Sequence, residues 1–129
     1  MTVAAWWAVG LAAAAGLVRC MVGPARRGSD ALARRRQARL RAEALLLAWL
    51  SPDQRAQYRA RGRFEVVTSA GHRYRICPGG VVRLDPRGWA YCIEATSPVP
   101  VADEMLATKL LLETDERRFL LTAHAYPYR

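Results

Sequence analysis

The residues able to do chemistry are few and far apart. His72 and His124 are the two histidines, and Cys20, Cys77 and Cys92 the three cysteines. No CxxC or Cys/His ligand spacing is present, so neither a zinc site nor a disulfide framework is expected. Cys77 and Cys92 flank neighbouring strands, where one bridge is geometrically conceivable; two buried thiols are the plainer expectation. A nucleophilic pair such as Cys77 with His72 would need an orienting group and an oxyanion site, and neither is readable. Asp103, Glu104, Glu113, Asp115 and Glu116 have the right chemistry for a divalent ion. Acids at helix starts more commonly answer the helix dipole, and that role is assigned to them. Gly79-Gly80 matches neither phosphate-loop pattern. The expectation is a protein that is not an enzyme and uses no cofactor or metal.

The strongest signal is electrostatic. Arg19, Arg26, Arg27, Arg34, Arg35, Arg36, Arg39 and Arg41 stand against Asp30 alone, so this segment carries seven of the chain's nine net positive charges. The remainder is close to neutral. Nineteen of the twenty basic residues are Arg, with Lys109 the exception. Such a bias fits a GC-rich coding sequence, so position and charge are informative and the choice of Arg over Lys is not. These eight arginines are the candidate contacts to an anionic membrane leaflet or to phosphates.

Before the arginines, Val3 to Val18 carries no charge. Sixteen helical residues span about 24 Å against a hydrocarbon core of roughly 30 Å, and extension through Val22 completes the span. Trp6 and Trp7 sit near one end, where an interfacial belt places tryptophan. A cleaved signal peptide would need a basic start, and a lipoprotein anchor a small residue before Cys20. A start codon placed too far upstream is the remaining rival. Residues 1–22 are therefore read as a membrane anchor. The positive flank predicts the N-terminus outside and the rest cytoplasmic, or a cytoplasmic protein if the leader is not part of it.

The elements that follow must position whatever the chain does. Residues 23–42 read as an Arg-rich juxtamembrane linker and helix, with Gly23-Pro24 and Gly28-Ser29 as punctuation and Ser29 or Asp30 as a cap. Ala44 to Leu50 is apolar almost all round and is expected to be buried. Ser51-Pro52-Asp53-Gln54 is a capping box with Pro at the first helical position, opening a short helix that ends near Gly62. From Arg63 to Ala95 the pattern alternates. It predicts a four-stranded antiparallel meander with Phe64, Val66, Thr68, Tyr74, Ile76, Trp89, Tyr91 and Ile93 on the buried face. Glu65, Arg73, Arg75 and Glu94 fall on the other, solvated face. One or two helices then follow from Val101, with Met105, Leu106, Leu110, Leu111 and Leu112 covering the sheet, and Pro127 ends the last. The fold class is α+β, and residues 43–126 form the small α+β domain.

LSPDQRAQY (50–58), FEVV (64–67), Gly71 with RYRI (73–76) and ADEMLATKLLLETDERRFL (102–120) resemble a group of short uncharacterised bacterial and phage-borne proteins. An LSPEQ helix start, a G-x-x-YRI strand and an LAxKLxLE helix recur in that group. CPGGVVRLD stands here where the group carries a basic, Gly-containing turn and an Asn-Val pair. The resemblance implies a fold of this kind and no biochemical role.

Two functions follow as expectations. The first is a membrane-anchored protein whose cytoplasmic domain binds another protein. The second is a soluble basic accessory protein that binds nucleic acid through the Arg-rich segment or the sheet, where Arg73-Tyr74-Arg75, with Arg63 and Arg83, mixes charge and aromatic rings.

Overall fold

The computed structural model describes the backbone of residues 4–85 and 87–128, and side chains for 27–85 and 88–128. The chain divides into two compact units, residues 1–37 and 38–129. Helix α1 (Ala4–Trp49) contributes to both and runs unbroken through the Gly23-Pro24 and Gly28-Ser29 positions expected to form a linker.

In the second unit α1 is followed by α2 (Pro52–Arg61), then strands β1 (Phe64–Val67), β2 (Arg73–Cys77), β3 (Gly80–Asp85) and β4 (Arg87–Cys92). Helices α3 (Val101–Thr114) and α4 (Glu116–Thr122) come next, and β5 (His124–Pro127) closes the order. The fold is α+β, and the antiparallel sheet is β1-β2-β3-β4-β5. Its five strands correct the expected four. Residues assigned to the end of a helix instead pair with β4, Trp89 opposite Pro127 and Cys92 opposite His124. The cause is that α4 stops at Thr122, and the extended Ala123 returns the chain to the free edge of β4.

The core lies between one sheet face and the helices. Phe64, Val66, Tyr74, Ile76, Val81 and Tyr91 are buried on the sheet side, as are Met105, Leu106 and Leu112 of α3 and Phe119 of α4. Tyr74, Tyr91 and Phe119 meet edge to face, with ring centroids 5.6–6.3 Å apart. This geometry adds quadrupole attraction to their area burial.

Two side chains depart from the expected pattern. Trp89 is 46% exposed rather than buried. Between Val82↔Ala90 and Leu84↔Arg87, β4 advances three residues against two on β3, a bulge at Gly88 (φ 119°) and Trp89 that disturbs the alternation. Among the described side chains of α1 only Ala42 and Leu46 are buried, and Leu50 just beyond its end continues their four-residue repeat along one face. Leu45 and Trp49, expected inside, are 48% and 55% exposed, because the domain meets one face of this helix and not the other.

Candidate functional site

Helix α2 is placed by its start. The Ser51 hydroxyl accepts from the Gln54 backbone N–H, and the Ser51 N–H donates to Gln54 Oε1. The same Gln54 side chain donates through Nε2 to the Glu65 carbonyl at 3.0 Å, while Glu65 N–H donates to Gln57 Oε1 at 2.8 Å. Two glutamines thus stand where a neighbouring strand would, satisfying the outward backbone groups of edge strand β1. Arg55 donates to the carbonyls of Leu47 and Leu50 and so closes the C-terminal end of α1, which has no basic residue in its own last turn.

The candidate arginines lie on α1. Arg27, Arg34, Arg35 and Arg36 are exposed in the first unit, and Arg39 and Arg41 in the second. Among the described residues, no ion pair includes any of these six. The side chains of Trp6, Trp7, Arg19 and Arg26 lie outside the described residues, as do all the side chains of the anchor expected over residues 1–22. Among the described residues, no helix is long and apolar enough to cross a membrane.

Of the other basic candidates, the sheet brings Arg83 to the Tyr74 ring but turns Arg73 and Arg75 away from it. Glu65 takes Arg73 at 2.8 Å and Arg75 at 3.1 Å on the outer face. Burial alone would raise the Glu65 carboxyl; the hydrogen bonds from Arg73 and Arg75 outweigh it and hold the group below the usual range. Tyr74 is fully buried on the opposite face, with the Arg83 guanidinium 5.8 Å from its ring centroid. No stacking platform forms from Arg73-Tyr74-Arg75.

Sequence reasoning missed the densest polar constellation. Glu116, assigned only to the helix dipole, sits with its side chain 11% exposed, where Oε1 accepts from the Tyr74 hydroxyl at 2.6 Å and meets His72 Nδ1 at 2.7 Å. Burial would raise this carboxyl, but the hydrogen bonds from Tyr74, Thr68 and His72 prevail and lower it. Tyr74 moves far upward, first through burial and then through the adjacent carboxylate. A carboxylate holding an imidazole by Nδ1 is half of an acid–base relay. Among the described residues, however, no thiol or hydroxyl hydrogen-bonds to the His72 ring, so the constellation ties the 68–72 turn and β2 to α4. The only hint in the sequence was Glu116 following its cap: Asp115 accepts from Arg118 N–H at 3.0 Å.

Lys109, 6% exposed, lies among the apolar residues on the covered face of α3 and places its ammonium 2.7 and 2.8 Å from the Glu113 oxygens. Cys77 and Cys92 are free thiols on β2 and β4 with β3 between them, which removes the conceivable bridge. No family model, curated protein or solved structure matches the chain.

Proposed function

We propose that the protein is a membrane-anchored, non-enzymatic module whose Arg-rich segment lies against an anionic leaflet and whose cytoplasmic α+β domain binds another protein. The observation that carries this reading is the set of six exposed arginines on α1, outside every ion pair among the described residues. Each such residue near an anionic surface contributes on the order of 1 kcal/mol, a sum sufficient for reversible association. The half-exposed Leu45 and Trp49, one turn apart, support a protein-binding role for the helix face turned away from the core.

Nucleic-acid phosphates suit the same arginines and form the alternative, but the domain offers them no stacking ring beside Arg73 and Arg75. Fractionation of the full chain, tagged at its C-terminus, distinguishes these readings. Retention in the membrane pellet through high-salt and carbonate washes is the expected result. Release by salt alone means that arginine electrostatics suffice. A protein soluble from the outset, and retained on DNA beads, overturns the membrane reading.

A further inference from the structure

The geometry points to a phosphate-binding groove between α2 and β1, separate from the Arg-rich segment. An open groove of about 350 Å³ is lined by Ala56, Gln57, Ala60, Arg61, Arg63, Phe64, Glu65 and Arg75. Its floor is low because Ala56 and Ala60, one turn apart, carry only methyl groups and Phe64 is buried beneath.

Its rim is cationic. Gly62 adopts the left-handed conformation (φ 68°) that caps α2 and turns the chain sharply, so Arg61 and Arg63 flank one corner. Arg75 lines the same groove from β2. The only carboxylate in the lining is Glu65, which already holds Arg73 and Arg75. Arg61 and Arg63 are exposed and, among the described residues, have neither an ion pair nor a side-chain hydrogen bond. Gln57 Oε1 is committed to the Glu65 N–H, which leaves its amide NH2 as a further donor in the lining.

Three guanidiniums and one carboxylate leave the groove with net positive charge, and gathering like charges raises its potential for an anion. A phosphate group offers more acceptor oxygens and a higher charge than a carboxylate, so it can accept from the guanidiniums of Arg61 and Arg63 together. Phe64 is covered and offers no stacking face, so the feature recognised is the phosphate group rather than a base.

The test uses the full chain in non-ionic detergent, with Arg19, Arg26, Arg27, Arg34, Arg35, Arg36, Arg39 and Arg41 all changed to Gln. Its result is therefore independent of the Arg-rich segment. Inorganic phosphate is titrated while the Nε–H resonances of Arg61, Arg63 and Arg75 are followed by NMR. Saturable shifts at these three and not at the exposed Arg117 are expected, with apparent affinity weakened about tenfold or more in R61Q/R63Q. A second titration with monomeric dihexanoyl phosphatidylglycerol identifies the source. Tighter binding than inorganic phosphate assigns a lipid headgroup, and weaker binding assigns free phosphate. Absence of saturation, or equal shifts at Arg117, overturns the proposal. So does a response to an oligonucleotide alone.

Discussion

Gln54 shows how much one side chain can decide. At the third helical position of a capping box, either Glu or Gln can accept from the Ser51 N–H. Only Gln can also donate, and here its Nε2 reaches the Glu65 carbonyl. Gln54→Glu preserves the cap but sets a carboxylate oxygen against that carbonyl. The expected loss is about 1 kcal/mol, one net hydrogen bond, read as a lower urea midpoint with unchanged slope. Glu116 acts at the same scale through pH. Its carboxyl is lower in the folded protein than the 4.5 of a free side chain. Its contribution is therefore complete above the unfolded value and is lost as pH falls through the lowered folded one, where the unfolded chain binds more protons. Urea midpoints measured between about pH 6 and pH 3 should fall more steeply in the parent protein than in Glu116→Gln. A residual slope remains in that variant because Glu65 is lowered as well. Equal slopes would mean that the bonds from Tyr74, Thr68 and His72 do not favour the ionised form.

Helix α1 gives the clearest contrast between adjacent positions. Leu46 is fully buried and Leu45 is half exposed. Leu46→Ala should cost about 2–5 kcal/mol, whereas Leu45→Ala should stay within about 0.5 kcal/mol. Paired thermal melts check this directly, and comparable losses would require something to cover Leu45. The run Ala44–Leu50 could not disclose this division, since a helix apolar all round has no periodicity to name its buried face. Where periodicity was present, the elements were legible: the capping box, the 64–77 hairpin with Tyr74 inside, and the mixed-charge outer face all follow from local pattern. Strand β5 was not legible. Four residues ending in Pro carry little strand signal, and only the vacant edge of β4 draws them into the sheet. The bulge beside Trp89 is likewise a property of pairing between strands. The Glu116 constellation was hidden for the same reason, since its members are 42 and 44 residues apart.

Across the whole molecule, charge is the property with most consequence. Seven net positive charges between residues 19 and 41 follow a stretch that contains none. Arginines within about 15–20 residues of an inserted segment resist translocation far more strongly than acids assist it. If residues 1–22 insert, the proposed orientation leaves the α+β domain on the side where the arginines are synthesised. A reporter that is active only outside the cytoplasm, fused after Arg129, should then be silent, while a cytoplasm-only reporter at the same position should be active. Changing all eight arginines to Gln removes the bias and should produce a mixed population from the same fusion. Activity of the external reporter on the unaltered chain would reverse the orientation and place the arginines against the wrong leaflet. The same reporter pattern from a fusion protein that is soluble would instead leave the arginines without a bilayer to face. The phosphate groove of α2 and β1 would survive either result, because its arginines belong to the folded domain and not to the segment that directs insertion.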